Sequence, residues 1–152
     1  MKTLDRANWH FEYSVEVNEI DIQHRELMNM LNDMINHSAD DYENRKKYFY
    51  NIMETASSHL ANHFDTEERV LGKTSYDMLE EHKNEHKKLI SRVTSLRDGL
   101  GKINEEIALY DLTATLKEYF LSHIIMFDKE AKEYFKTGSR IITHSGFQAG
   151  IF

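Results

Sequence analysis

The amino-acid sequence predicts an all-α fold, an up-down-up-down antiparallel four-helix bundle with an N-terminal arm and a short C-terminal tail. Proline is absent from the 152 residues and glycine occurs only six times, and both residues interrupt helices. Four segments repeat apolar residues at steps of three, four and seven, which places those residues on one helix face. The short connections between the segments require neighbouring helices to be antiparallel.

The first helix is predicted over 19–36 and the second over 42–71. A polar break at 38–41 separates them and can supply an N-cap to the second helix. The first apolar stripe consists of Ile20, Leu27, Met28, Leu31, Met34 and Ile35. The second consists of Phe49, Ile52, Met53, Ala56, Leu60, Phe64, Val70 and Leu71.

The third helix is predicted over 76–100 and the fourth over 104–136. Gly72 suits the left-handed position that often follows a helix, and Thr74 or Ser75 can cap the third helix. The third stripe consists of Met78, Leu79, Leu89, Ile90, Val93 and Leu96. The fourth consists of Ile107, Leu112, Leu116, Tyr119, Phe120, Phe127, Ala131, Tyr134 and Phe135.

The chain is interpreted as a single domain over 1–152, with an arm at 1–18, the bundle at 19–136 and a tail at 137–152. Its length suits one core. The tail contains three glycines and scattered apolar residues, and its sequence gives no clear structural prediction. The arm is expected to pack on the bundle through Trp9, Phe11 and Tyr13.

Composition excludes several classes of protein. The formal net charge of −7 argues against a nucleic-acid or anionic-membrane partner, because both attract basic patches. No apolar run approaches the roughly 18 residues of a membrane span, and the first residues lack a secretory signal, so a cytoplasmic location is expected. Cysteine is absent, which removes disulfides, thiolate zinc sites, iron–sulfur clusters and cysteine nucleophiles.

Two pairs of candidate metal ligands have helical spacing. His63 and Glu67 are four residues apart, and so are His82 and His86. A four-residue step brings two side chains to the same helix face, one turn apart, where both can reach one centre. In a chain without cysteine, imidazole and carboxylate are the strong metal ligands that remain.

Two further histidines are in phase with the apolar stripes, His24 on the first helix and His123 on the fourth. Each helix therefore directs at least one imidazole into the core. Burying these rings without partners costs roughly 1–3 kcal/mol for each unsatisfied group, and a shared metal centre removes that cost. Asp128 follows His123 by five residues, a step that separates the two side chains by about 140° on an ideal α-helix. That spacing favours a carboxylate bridging two metal ions over a chelate of one.

The motifs resemble those of the bacterial hemerythrins, in the same order and at the same spacings. They are Ile20-Asp21-Ile22-Gln23-His24, His63-Phe64-x-x-Glu67-Glu68, His82-x-x-x-His86 and Leu121-Ser122-His123-Ile124-x-x-x-Asp128. The resemblance covers about 9–136. Two departures leave every ligand position intact. Tyr119 stands where the family often has Trp, and Ser75-Tyr76 stands where it often has Pro.

The resemblance implies a non-haem di-iron centre with a bridging oxo or hydroxo group. It implies that three histidines bind one iron and two the other, and that two carboxylates bridge the pair. The first set is His82, His86 and His123, the second is His24 and His63, and the bridges are Glu67 and Asp128. It further implies reversible dioxygen binding for storage, delivery or sensing, in a protein that is not an enzyme.

Alternative interpretations remain open beside this one. Considered without the other candidate ligands, His24 or His123 would be interpreted as an ordinary core or surface histidine and not as a metal ligand. Glu68 is expected to be a solvated charge, and His59 lies either behind the ligands or at the core edge. The non-enzyme interpretation leaves room for weak peroxidase or oxidase activity. A di-iron enzyme that reduces peroxide or another small molecule is the main functional rival. An oxygen- or iron-responsive interaction module is the third. Solvent exposure is expected for His10, His37 and His144.

Overall fold

The computed structural model describes residues 4–99 and 105–151, which form an all-helical bundle without strands in those two ranges. The side chains of residues 105, 106, 108, 109, 120, 124, 125 and 145–151 are outside this description. A 3₁₀ turn at Phe11–Tyr13 precedes the helices. They are α1 (Asn18–His37), α2 (Tyr42–Leu71), α3 (Leu79–Asp98), α4 (Glu105–Tyr119), a π-helical segment (Phe120–Asp128) and α5 (Lys132–Ile151). The all-α prediction is confirmed.

The first two helices follow the sequence pattern closely. The bounds of α2 are those predicted, and α1 is one residue longer at each end. The Asp41 side chain accepts a hydrogen bond from the Asn44 backbone N–H at 3.0 Å. This bond satisfies one of the free N–H groups at the start of α2, so the predicted N-cap in 38–41 is confirmed.

The connection to α3 differs from the prediction. Gly72 has φ −65°, in the right-handed region, so the expected left-handed residue is wrong. Met78 precedes α3 without a side-chain cap, and the Thr74 hydroxyl instead accepts from the Tyr76 backbone N–H at 3.3 Å. The helix therefore begins at Leu79 and not at 76. The predicted helix limits at 100 and 104 lie outside the described residues.

The predicted end of the last helix at 136 is wrong, because α5 continues to Ile151. Gly138 does not break this helix. A Cβ atom at Gly138 would clash with the Val70 carbonyl oxygen, so glycine is what permits α5 to approach α2 so closely. The region taken as a tail therefore packs on the bundle through α5.

The helices enclose two separate apolar clusters. α1 and α3 each pack against α2 and α4. The large apolar cluster consists of Ala7, Leu27, Met28, Leu31, Met34, Ile35, Phe49, Met53, Leu60, Phe64, Leu89, Val93, Leu112, Leu116 and Tyr119. The small apolar cluster consists of Val15, Val17, Ile20, Val70, Leu71, Ala131 and Phe135.

Most of the predicted stripe residues are buried or half-buried, but four are exposed. The predicted burial is wrong for Met78, Ile90, Ile107 and Tyr134, which are 37–59% exposed. Met78 and Ile107 lie beside helix ends, where the periodic pattern no longer decides which face is covered. The predicted burial of Phe120 concerns a side chain outside the description.

The arm before α1 is fixed to the bundle by hydrogen bonds. The Asn32 side chain accepts from the Ala7 N–H at 2.8 Å and donates to the Ala7 carbonyl at 2.7 Å. The buried Asp21 carboxylate accepts from the Val15 N–H at 2.9 Å. Trp9 and Tyr13 pack against the large apolar cluster as predicted, but the predicted packing of Phe11 is wrong, because it is 84% exposed. None of the described helices combines the length and apolar character needed to cross a bilayer.

Candidate metal centre

A layer of buried polar side chains lies between the two apolar clusters, and we call it the polar layer. α1 supplies one member, α2 and α3 two each, and the π-helical segment two. All are 3% exposed or less. The members are His24, His63, Glu67, His82, His86, His123 and Asp128. The structure thus brings together all seven residues that the sequence singles out, and their role as metal ligands remains a prediction.

The four-residue spacings act as expected. His63 Nε2 lies 2.8 Å from Glu67 Oε1 on the same face of α2. The rings of His82 and His86, one turn apart on α3, have centroids 4.7 Å apart. Regular α-helices are therefore sufficient to aim these four side chains at one region.

The five-residue spacing is accommodated by a change of helix type. His123 and Asp128 both lie in the π-helical segment, where hydrogen bonds join residues five apart instead of four. This winding brings the two side chains to the same side, with His123 Nε2 2.9 Å from Asp128 Oδ1. The expected divergence of about 140°, which assumes an ideal α-helix, is wrong. Such π-turns often occur at functional sites.

The polar layer divides into two groups that share Glu67. The ligand atoms within each group all lie within 4.8 Å of one another. The first group, which we call the α3 group, is Glu67, His82, His86 and His123. The second, the α1 group, is His24, His63, Glu67 and Asp128.

The two carboxylates lie between the groups. Asp128 Oδ2 is 2.9 Å from His24 Nε2, and Asp128 Oδ1 is 3.2 Å from His82 Nε2. Glu67 Oε1 faces His63, and its Oε2 lies 3.4 Å from His82 Nε2. Asp128 therefore presents one oxygen to each group. Glu67 Oε1 also lies 3.7 Å from both His86 Nε2 and His123 Nε2, so both carboxylates contact both groups, as a bridging ligand requires.

Many polar atoms of the layer lack hydrogen bonds. His86 Nε2 and His123 Nε2 face each other at 3.2 Å, so one ring must donate its N–H and the other accept. Unsatisfied buried groups cost about 1–3 kcal/mol each, and a cation among them would satisfy several at once. The donor set therefore fits metal cations. Within the described residues, the atoms without hydrogen bonds include His24 Nδ1 and Nε2, His63 Nε2, Glu67 Oε1, His82 Nδ1 and both Asp128 oxygens.

The carboxylates of the layer are held ionised. Burial alone would raise the pKa of Glu67, but attraction to His63 and contacts with the other imidazoles hold that pKa well below its ordinary value. Burial and repulsion from Glu67 would raise the pKa of Asp128, yet attraction to His123 and contacts with it and His24 lower it. Two negative charges thus remain in the core and attract cations.

The pKa values of the buried imidazoles shift in opposite directions. Burial would lower the pKa of His82, but contacts with Asp128 and Glu67 raise it to about 9. The same balance, led by attraction to Asp128, raises the pKa of His123 to about 10. Burial dominates at His63 and lowers its pKa. Without metal, protons on His82 and His123 therefore balance the carboxylates, and metal binding must release them.

Two residues behind the imidazoles were not identified from the sequence. The Gln23 side-chain oxygen lies 2.9 Å from His63 Nδ1. The sequence places Gln23 next to His24 but does not reveal this contact. Glu68 Oε2 lies 3.2 Å from His86 Nδ1, with the carboxylate side chain 30% exposed. The expectation of a solvated Glu68 is therefore wrong. Successive residues on an α-helix point about 100° apart, and this offset from Glu67 turns the Glu68 side chain towards α3. The position of Glu68 on α2 does not by itself reveal that α3 lies there.

The remaining histidines lie away from the layer. His59 is 43% exposed at its side chain and lies 3.7 Å from Glu26, so it belongs to the surface. His10 and His144 are exposed as expected. His37 is half-buried, stacks on Tyr48 and contacts Asp40 at 2.7 Å, which contradicts the expectation of exposure.

Aromatic rings cover the layer. Phe64 stacks on His86 with centroids 3.9 Å apart and planes 9° apart. Tyr119 stacks on His123 at 4.8 Å. Burial and the two carboxylates raise the pKa of Tyr119 well above its usual value, which keeps the phenol neutral. A cleft of about 260 Å³ reaches His123 from the surface, past Ser122. The rings thus cover most of the buried centre, and the cleft reaches it at His123.

Comparison with known proteins agrees with the geometry. A family model described as the hemerythrin HHE cation-binding domain matches residues 15–137. This range includes the whole polar layer. A search of curated proteins finds no match.

Proposed function

The chain belongs to the hemerythrin family, and we propose that its polar layer holds two iron ions and binds dioxygen reversibly. The observation that carries the proposal is the pair of buried ligand groups that share Glu67, with Asp128 between them. The family supports a cation-binding domain, and the histidine-rich donor set suits iron.

In this proposal the imidazoles of the α3 group, His82, His86 and His123, hold one ion. His24 and His63 hold the other, and the two carboxylates bridge the pair. Two iron ions held by these residues would supply the two electrons that dioxygen binding requires. The α1 group has one imidazole fewer, which leaves room for a small external ligand.

The chain's own residues favour binding without further reaction. Glu67 and Asp128 are the only carboxylates in either described group, whereas ferritin-like di-iron proteins supply a carboxylate from every helix of the bundle. Phe64 and Tyr119 cover the layer and limit access of water and protons. Both features support a carrier or sensor of dioxygen over an oxidising enzyme.

We also propose that the helices alternate in direction. α1 passes from the small apolar cluster at Ile20 through His24 to the large cluster at Leu27. α2 passes in the opposite order, from Leu60 through His63 to Val70. The order of clusters along the chain supports an up-down-up-down path.

A di-iron enzyme that reduces peroxide or another small molecule is the second candidate. The cleft that reaches His123 favours it, because this cleft gives a polar reactant a route to the α3 group. Ser122 and Thr115 in its wall supply hydroxyl groups for a polar ligand.

Visible absorption of the iron-loaded protein separates the two candidates. The spectrum is recorded after reduction with dithionite, after oxygenation and after degassing. We expect colour to appear with dioxygen and to disappear on degassing over repeated cycles. Irreversible conversion to an oxidised form, with added peroxide consumed, would favour the enzyme. His63→Ala should abolish the colour, and the surface variant His59→Ala should retain it.

A further inference from the structure

The two ligand groups differ in the charge that lies behind one of their imidazoles. A metal-binding histidine turns one ring nitrogen towards the ion and the other towards a partner that fixes its tautomer. For His86 in the α3 group that partner is the carboxylate of Glu68. For His63 in the α1 group it is the neutral amide of Gln23.

The contact between Glu68 and His86 has the geometry of a support. Glu68 Oε2 lies 3.2 Å from His86 Nδ1, and His86 Nε2 faces the centre. The stacked ring of Phe64 fixes the plane of the imidazole. When Nδ1–H donates to the carboxylate, the lone pair of Nε2 is directed at the α3 group.

Gln23 is fixed just as firmly, but without charge. Its side-chain N–H donates to Thr66 Oγ1 at 3.1 Å, and the Thr66 hydroxyl donates to the Asn62 carbonyl at 2.9 Å. This chain of bonds leaves the amide oxygen facing His63 Nδ1 at 2.9 Å. The α1 group therefore receives the same tautomer control from a neutral acceptor.

No other charged partner offsets this difference among the described contacts. His24 Nδ1 and His82 Nδ1 have no hydrogen-bond partner in the part of the chain that the structure describes. A carboxylate behind an imidazole increases the basicity of the coordinating nitrogen, and removal of such a partner typically weakens metal binding by about 10–100-fold. Glu68 therefore adds donor strength to the α3 group alone.

We propose that Glu68 is a positioning residue that strengthens metal binding by the α3 group, so that this group fills before the α1 group. The inference rests on the proposed two-ion centre. It assigns Glu68, acting through His86, a part in making the two ions inequivalent. The ion in the α1 group, with fewer and weaker donors, is then the one left to accept an external ligand.

Zinc titration of the metal-free full chain against a chromophoric chelator tests the proposal. The parent protein should bind two equivalents in two resolved steps. Glu68→Gln keeps the shape and a hydrogen-bond acceptor but removes the charge, and it should weaken the tighter step about tenfold. The matched control Glu85→Gln removes a carboxylate beside His86 that pairs with Lys88 instead, and it should change neither step.

The reciprocal variant Gln23→Glu places the charge behind His63 and should strengthen the weaker step by a similar factor. If far-ultraviolet circular dichroism shows that Glu68→Gln does not fold, Gln23→Glu alone tests whether the charge behind an imidazole sets the affinity. His24→Ala should leave only the tighter step, and Glu68→Gln in that background should weaken it. With cobalt in place of zinc, Glu68→Gln should shift the visible absorption of the first equivalent only.

The outcomes separate this inference from the proposed function. Two bound equivalents with both steps unchanged, or equally weakened, in Glu68→Gln would overturn the role of Glu68 and leave the two-ion centre standing. Failure of the parent protein to bind two equivalents would overturn both. A tenfold effect confined to the tighter step supports the inference.

Discussion

The polar layer and the two apolar clusters fill the same bundle core, yet burial stabilises the apolar side chains and leaves several polar atoms of the layer unsatisfied. The large apolar cluster is stabilised by burial itself, at roughly 25 cal/mol per Å² removed from water. The polar layer is buried just as completely, but its imidazoles and carboxylates contain atoms without hydrogen bonds. The comparison teaches that the apolar clusters stabilise the fold without any ligand, whereas the polar layer keeps unsatisfied atoms that only cations would fully satisfy.

Metal loading should produce the largest change in stability, and it acts only on the polar layer. An ion at a thousandfold excess over its dissociation constant adds about 4 kcal/mol, so two ions add about 8 kcal/mol. For a chain of this size that corresponds to a rise in Tm of roughly 15–30 °C. Thermal unfolding of metal-free and iron-loaded protein measures it. Equal melting temperatures would show that the layer does not depend on cations.

Phe64→Ala should have the next largest effect, and it acts on the large apolar cluster. Phe64 is 2% exposed, and loss of a buried phenylalanine ring costs about 3–5 kcal/mol. Chemical denaturation should show this loss in metal-free protein as well, since the ring packs against apolar neighbours. Phe64→Leu is the control and should lose much less. A loss that appears only after metal loading would contradict the division of the core.

His24→Leu should act in the opposite direction. Neither ring nitrogen of His24 makes a well-aligned hydrogen bond within the described residues, and the Asp128 carboxylate 2.9 Å from its Nε2 keeps His82 and His123 as partners. An apolar side chain of similar size should therefore leave metal-free protein equally stable or more stable by up to about 3 kcal/mol. The same variant should lose most of the stabilisation by metal. Denaturation curves with and without iron measure both effects. A metal-free variant destabilised by more than about 1 kcal/mol would refute the prediction.

The stability of metal-free protein should fall as pH rises from about 6.5 to 10. The folded pKa values of His82 and His123, about 9 and about 10, lie above the ordinary value. Their contribution is therefore complete below an unfolded pKa of about 6.5 and is lost as pH rises through the folded pKa values. Because the pKa of His63 is lowered, its protonation affects stability only below about pH 6.5. Melting temperatures across the range test the sign, and metal-loaded protein, with these protons already displaced, should show a flatter profile.

His59→Ala should have the smallest effect. Its half-exposed side chain contacts only the exposed Glu26 at 3.7 Å among the ion pairs described, and surface changes usually stay within about 0.5 kcal/mol. Stability, metal stoichiometry and visible absorption should all match those of the parent protein. A loss of one bound equivalent would instead place His59 in the metal centre.

The helices and the convergence of candidate ligands are the parts that the sequence predicts well. Periodicity places α2 to the residue, and four-residue steps bring His63 to Glu67 and His82 to His86. These features depend on local geometry that every α-helix shares. Assignment of the seven side chains as iron ligands goes beyond this geometry and stays a prediction.

The features that the sequence does not predict depend on contacts between elements. The π-helical segment that aligns His123 with Asp128 departs from ideal helix geometry. Gly138 favours a helix end by composition, yet its missing side chain permits contact with Val70 of α2. Glu68 meets His86 only because α3 lies beside α2. Each outcome is decided by a neighbour distant in sequence.

Anomalous diffraction at the iron absorption edge, from crystals of iron-loaded protein, tests the central claim most directly. The account predicts two peaks about 4 Å apart or less, the separation of two-metal sites, with Glu67 and Asp128 between them. One peak should lie among the imidazoles of the α3 group and the other beside His24 and His63. A single peak, or peaks outside the polar layer, would contradict a shared two-ion centre.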